Sequence, residues 1–102
     1  MKPEALKRIY PSSNFIFFIN LDEAIIGVQV NQLDETKNRI VYSAKKIVKA
    51  LILELGYTEE SAIEFYFTTI EPAYYGDNTP IVVYDFDIEE IIEIERYSFS
   101  PN

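Results

Sequence analysis

The sequence contains no cysteine and no histidine. Without cysteine the chain can form no disulfide and no thiolate metal site. Without histidine it lacks the side chain that most often moves protons at neutral pH. Catalytic triads that use histidine or cysteine and histidine-bound zinc sites are therefore excluded for this chain alone. We expect a protein that is not an enzyme and that uses no metal and no cofactor.

Glycine is scarce and long apolar runs are missing. The three glycines, Gly27, Gly56 and Gly76, are too far apart to form a phosphate-binding or dinucleotide-binding loop. The longest apolar stretch, residues 15–19, is too short to cross a bilayer, and the charged N-terminus has no apolar signal region. These features predict a cytoplasmic protein that does not interact with membranes.

Basic residues are rare in the second half of the chain. The whole sequence has a net charge of −8, but the residues up to Ala50 carry about +3. From Leu51 onward Arg96 is the only basic residue and faces twelve carboxylates. This distribution disfavours direct binding of nucleic acid and predicts a protein partner with a basic surface.

The apolar content is sufficient for one folded domain. Of the 102 residues, 48% are hydrophobic, which is enough for a core without disulfides or metals. We expect a single domain over residues 1–102. It divides into an N-terminal helix and loop (1–13), a core (14–85) and an acidic C-terminal segment (86–102).

Strands are predicted from short runs of β-branched and aromatic residues. The runs at 24–30 and 39–42 flank a polar connection, residues 31–38, and predict an antiparallel hairpin. The run at 15–19 also predicts a strand, and the run at 81–84 predicts one that joins the same sheet.

Two helices are predicted between the hairpin and the last strand. Ser43 is a suitable N-cap and Gly56 a suitable end for a helix over 43–56. Thr58 is a suitable N-cap for a second helix, which should end near Ile70 because Pro72 cannot continue it. Its apolar stripe comprises Ala62, Ile63, Tyr66, Phe67 and Ile70. For the C-terminal residues, the pattern favours a short helix over about residues 88–95, and an edge strand is the alternative.

These elements predict an α+β fold. A small, mainly antiparallel sheet of three to four strands should carry the helical hairpin on one face.

The segment between the second helix and the last strand combines aromatic, flexible and short polar residues. Tyrosine supplies a large, stiff contact area with a polar tip, and loops often carry recognition residues. The candidate binding residues here are Tyr74, Tyr75, Asp77, Asn78 and Thr79. The alternative is a purely structural turn in which Gly76 adopts a positive φ and the tyrosines cover the edge of the core.

The C-terminal segment holds a second candidate surface. Its carboxylates Asp87, Glu89, Glu90 and Glu93 are suited to a basic partner, although runs of charge are usually a solvated face. The run lacks the glycine turn and the distal glutamate of a calcium-binding loop.

Aromatic residues make up 15% of the chain, more than the predicted faces can bury. Phe15, Phe17, Phe18 and Phe65 do not all fit on those faces. The surplus indicates a second buried surface, and we expect a self-interface in a homodimer.

Several motifs occur in a characteristic order between residues 21 and 85. They are a D-x-A-I-x-G-V start at 22–28, a T-E-E-x-A helix start at 58–62 and an A-Y-x-G-x-x-T-P turn at 73–80. Together they resemble small uncharacterised proteins of tailed bacteriophages and prophages. The resemblance implies a phage or mobile-element context, and so the cytoplasm of the host cell. It implies no activity and no functional residues.

The functional expectation is therefore a non-enzymatic accessory protein of a phage or mobile element, which binds a host or phage macromolecule. One alternative is an acidic inhibitor that occupies the basic channel of a nucleic-acid-binding defence factor of the host. Another is a small-ligand-binding protein with its pocket beside Tyr75 and Thr79.

Overall fold

The computed structural model describes residues 2–85, which form an α+β fold, so the predicted fold class is confirmed. The predicted C-terminal helix and the acidic residues Asp87, Glu89, Glu90 and Glu93 lie outside the described residues. The helices are α1 (Pro3–Ile9), α2 (Ala44–Leu53) and α3 (Glu59–Phe65), and the strands are β1 (Ile25–Gln29), β2 (Arg39–Ser43) and β3 (Ile81–Val83). Within residues 2–85 no helix has the length and apolar character that crossing a bilayer requires.

The three strands form one sheet in the order β1-β2-β3. The predicted hairpin is confirmed, because β1 pairs antiparallel with β2, with an irregularity between Ile25 and Gly27. The predicted last strand joins this sheet as β3, but it runs parallel to β2, so the sheet is mixed. A parallel neighbour needs a long crossover connection, and here α2 and α3 provide it.

The strand predicted at 15–19 is wrong, because this segment forms no strand pairing. Both edges of β2 are already occupied by β1 and β3. The Phe18 backbone N–H donates to the Tyr42 side-chain hydroxyl at 2.9 Å instead of to a strand carbonyl. The chain then turns at Asn20, which has a φ of 62°, and leaves Ile19 exposed. The segment is therefore fixed to the core through a side chain.

Both predicted helix starts are confirmed by their capping bonds. The Ser43 hydroxyl accepts from the Lys46 backbone N–H, and the Thr58 hydroxyl accepts from the Ser61 backbone N–H, both at 3.1 Å. Gly56 has the predicted positive φ, 77°, between the two helices. Helix α2 ends at Leu53, earlier than predicted.

The second helix ends at Ile70, as predicted, but its last residues form a π-helical turn, Tyr66–Ile70. Ala62, Tyr66 and Ile70 are buried, which confirms this part of the predicted stripe. Ile63 and Phe67 are instead 41% and 53% exposed. Residues spaced by four therefore face the core, and their successors face outward.

Tyr42 lies in the centre of the core and has no exposed surface. Its ring packs against Phe18, with 4.8 Å between the ring centroids. The same core contains residues of all three helices and of the first two strands: Leu6, Ile25, Ile40, Ile47, Ala50, Leu51, Ala62 and Tyr66 among them.

Replacing Ser43 by alanine should lower the free energy of unfolding by about 1–2 kcal/mol, because the N-cap of α2 is lost. The Ser43 hydroxyl is buried and also donates to the Asp85 carboxylate at 2.5 Å. Thr58→Ala removes an exposed cap and is the matched control, with a smaller expected loss. Urea unfolding measures both variants, and equal losses would contradict the role of the buried bond.

Candidate binding loop

Residues 74–80, which we call the tyrosine loop, connect the π-helical turn to β3. The Thr79 hydroxyl accepts from the Tyr75 backbone N–H and donates to the Gly76 carbonyl, each at 2.7 Å. Gly76 has a φ of 95°, a region that glycine enters without steric cost. This positive φ is the one that the structural alternative required, and Thr79 closes the loop from a buried position.

Asn78 fastens this loop to the connection between β1 and β2. Its side-chain amide donates to the Thr36 carbonyl at 2.7 Å and to the Asn38 carbonyl at 3.0 Å. The Arg39 Nε donates to the Thr79 carbonyl at 2.6 Å. These bonds join segments about 40 residues apart in sequence, so the base of the loop is held by tertiary contacts.

The connection that receives the loop is itself ordered by Asn38, which has no exposed surface. The Asn38 side-chain oxygen accepts from the Asn31 backbone N–H at 2.7 Å, and its amide donates to the Ser13 hydroxyl at 3.0 Å. The sequence pattern indicates only a polar connection at residues 31–38, so the buried Asn38 is a residue that it did not identify. The only signal was the turn-forming tendency of asparagine.

Tyr74 and Tyr75 are 78% and 56% exposed, so they do not cover the edge of the core. Their backbone belongs to a loop whose base is fixed by Asn78 and Thr79. A tyrosine on a fixed backbone offers contact area at a low cost in conformational entropy. The arrangement is therefore suited to recognition of another molecule.

The charge around the described part of the second half is negative. Residues 51–85 contain no lysine and no arginine. Their carboxylates are Glu54, Glu59, Glu60, Glu64, Glu71, Asp77 and Asp85. Asp77 lies 3.8 Å from the Lys37 ammonium, and both side chains are largely exposed, so this ion pair adds little stability.

Across residues 2–85, no group of three or more carboxylates is placed to hold a metal ion. Along α2, Lys46 and Lys49 line a cleft of about 280 Å³ together with Glu23 and Glu54. Because carboxylates share this cleft, its lysines do not form a purely positive site.

The four phenylalanines assigned to a self-interface lie mainly within the protomer's own packing. Phe18 is buried, and Phe15 and Phe17 are partly buried with 5.9 Å between their ring centroids. Phe65 packs against Tyr57, with 5.4 Å between the centroids. Among residues 2–85, the exposed aromatic rings are those of Phe67, Tyr74, Tyr75 and Tyr84. These four rings are more exposed than those of the predicted set, whose role in a self-interface stays a prediction.

Replacing Asn78 by alanine should loosen the tyrosine loop and lower the free energy of unfolding by about 1–2 kcal/mol, because two hydrogen bonds are lost. Amide hydrogen exchange should become faster at Tyr75 and Thr79 and stay unchanged in α2. Asp77→Ala, which removes only the exposed ion pair, is the control. Unchanged exchange in the loop would show that Asn78 does not hold it.

Comparison of the chain with protein-family models, with curated proteins and with solved structures gave no match. The loop and its surroundings are therefore the features from which a function is inferred.

Proposed function

We propose that this protein is a non-enzymatic binding domain that contacts a protein partner through the tyrosine loop. The observation that carries the proposal is the exposure of Tyr74 and Tyr75 on a loop whose base Asn78 and Thr79 hold in place. The excess of carboxylates from residue 51 onward supports a partner with a basic surface, because complementary charge favours encounter and register.

The biological setting is part of the same proposal. The order of motifs between residues 22 and 80 favours an accessory protein of a phage or mobile element, acting in the cytoplasm of the host cell. A homodimer remains part of the proposal, with the partly buried Phe15, Phe17 and Phe65 of the predicted set as its candidate contacts. Light scattering at low and high salt tests the dimer, and a monomer at both would remove it.

The double variant Tyr74→Ala/Tyr75→Ala should weaken partner binding by about 30-fold or more, as the loss of a tyrosine hot spot does. The partner is first captured from a host lysate on the immobilised wild-type protein. Its dissociation constants for the wild type and the variants are then measured by calorimetry. Urea unfolding should show that the double variant is as stable as the wild type, since both rings are exposed.

Ile19→Ala is the matched control, because Ile19 is a highly exposed apolar residue outside the loop. It should bind the partner as the wild type does. Equal affinity of the double variant and the wild type would remove the loop from the interface. Turnover of a small molecule by the purified protein would contradict the non-enzymatic function.

A second candidate function is inhibition of a nucleic-acid-binding defence factor by occupation of its basic channel. The observation that favours it is the absence of lysine and arginine from residues 51–85, which contain seven carboxylates. Displacement of nucleic acid from such a factor should weaken steeply with rising salt, because ions screen exposed charges. Displacement that is independent of salt would argue against this function.

A further inference from the structure

A second exposed aromatic surface lies at the C-terminal end of the helical hairpin. Phe67 and Tyr84 are 53% and 54% exposed, and both rings contact the buried ring of Tyr66, with centroid distances of 5.1 and 6.2 Å. The Tyr84 hydroxyl donates to the Glu71 carboxylate. We call Tyr66, Phe67, Glu71 and Tyr84 the Tyr66 patch.

The Tyr66 side chain is 2% exposed, and its hydroxyl makes no hydrogen bond of standard geometry with the part of the chain that the structure describes. Burial, followed by the neighbouring Tyr84 and Glu71, raises the pKa of Tyr66 above its ordinary value. The protein encloses this hydroxyl, so another molecule can reach the exposed rings around it but not the hydroxyl itself. An unsatisfied buried hydroxyl is unusual and distinguishes this place in the fold.

The backbone at this place is also unusual. Tyr66 begins the π-helical turn, in which the Glu71 backbone N–H donates to the Tyr66 carbonyl at 2.9 Å. Such turns are rare and occur frequently at functional sites. Phe67 and Glu71 are four residues apart, so they lie on one side of this turn.

The chemistry of the patch is suited to a guanidinium group. A guanidinium donates in one plane to a carboxylate and stacks on aromatic faces, here the Glu71 carboxylate and the exposed rings of Phe67 and Tyr84. An ammonium group can use the carboxylate but lacks this planar geometry. Within residues 2–85 Glu71 forms no ion pair, so its charge is not neutralised there.

We propose that the Tyr66 patch binds an arginine side chain of the protein partner, as a contact site separate from the tyrosine loop. The proposal rests on the proposed binding function only for the source of the arginine. Charge complementarity selects this occupant, because residues 51–85 supply carboxylates and no basic group of their own.

The test titrates the full-length, isotope-labelled protein with three short glycine-flanked peptides that carry one arginine, one lysine or one citrulline. The arginine peptide should shift the NMR signals of Phe67, Glu71 and Tyr84, and the other two peptides should bind more weakly. Glu71→Gln should reduce the affinity for the arginine peptide by about tenfold, since it removes the charge from the acceptor. Phe67→Leu should also reduce it, because it removes an exposed ring on which the guanidinium stacks.

Glu64→Gln is the matched control, since Glu64 is an exposed carboxylate of α3 outside the patch. It should leave the affinity unchanged. Two results would overturn the proposal: NMR shifts with the lysine peptide as large as those with the arginine peptide, or equal losses of affinity in Glu71→Gln and Glu64→Gln. Either would mean that negative charge attracts the peptide without a specific site. If the arginine peptide bound the Arg96→Gln variant but not the wild type, the chain's own arginine would be the occupant. That result would also overturn the proposal.

The two proposals fail separately. If Tyr74→Ala/Tyr75→Ala still binds both the arginine peptide and the partner, the proposed function of the loop is wrong and the proposal for the Tyr66 patch is supported. If the same variant no longer binds the partner, and Glu71→Gln binds the arginine peptide as the wild type does, the proposed function of the loop is supported. The proposal for the Tyr66 patch is then wrong.

Discussion

Raising the pH from 10 to 12 is expected to remove about 2–3 kcal/mol of the free energy of unfolding through Tyr42 alone. Burial raises the pKa of Tyr42 from 10 in the unfolded chain to about 12 in the folded protein. Below pH 10 both states hold the proton and the stability is complete. Between pH 10 and 12 only the unfolded chain releases it, so unfolding becomes easier as the pH rises.

Tyr66 should add to this loss, because burial raises its pKa as well. The measurement is urea unfolding at a series of pH values across this window. Lysine also titrates here, so the informative quantity is the difference between the wild type and Tyr42→Phe, which has no hydroxyl to ionise. That difference should shrink as the pH rises. Parallel losses in the two proteins would show that Tyr42 does not contribute.

Replacing Tyr42 by alanine should lower the free energy of unfolding by about 3–5 kcal/mol, since a large aromatic side chain leaves a cavity in the core. Tyr42→Phe keeps the ring against Phe18 and removes only the hydroxyl that accepts from the Phe18 backbone N–H. Its loss should be about 1–3 kcal/mol, the cost of a buried donor without an acceptor. Urea unfolding below pH 10 measures both.

Tyr66→Phe is the informative comparison, because it removes the hydroxyl of the other buried tyrosine. The Tyr66 hydroxyl has no hydrogen bond of standard geometry among residues 2–85, so its removal should leave the stability unchanged or raise it. The same chemical change should therefore have opposite consequences at two buried tyrosines. A loss at Tyr66 as large as that at Tyr42 would mean that burial of the hydroxyl, and not its bond, sets the cost.

The features that the sequence predicted correctly depend on residues close together in the chain. The helix starts at Ser43 and Thr58 are decided by bonds to backbone groups three positions away. The turns at Gly56 and Gly76 follow from the freedom of glycine to adopt a positive φ. The antiparallel pairing of β1 with β2 is likewise local, because a short polar connection leaves few other arrangements.

The sequence pattern indicated the tyrosine loop as a candidate segment. It did not indicate which residues of the loop are exposed and which hold the loop in place. Tyr74 and Tyr75 are exposed, whereas Thr79 is buried and bonded at both of its polar functions. Asn78 is bonded to carbonyls about 40 residues away. Whether a polar loop residue faces a partner or its own backbone depends on what lies beneath the loop, which local pattern does not contain.

The sequence by itself determined the class of the fold, the boundaries of its helices to within a few residues and the segregation of charge. Only the tertiary structure decided that residues 15–19 attach through Tyr42, that β3 runs parallel to β2 and that the Tyr66 hydroxyl is left without a standard bond. The physical reason is the range of the interactions. Caps and turns act over a few residues, while strand order and the partners of buried polar groups depend on contacts between residues about 24 to 42 positions apart.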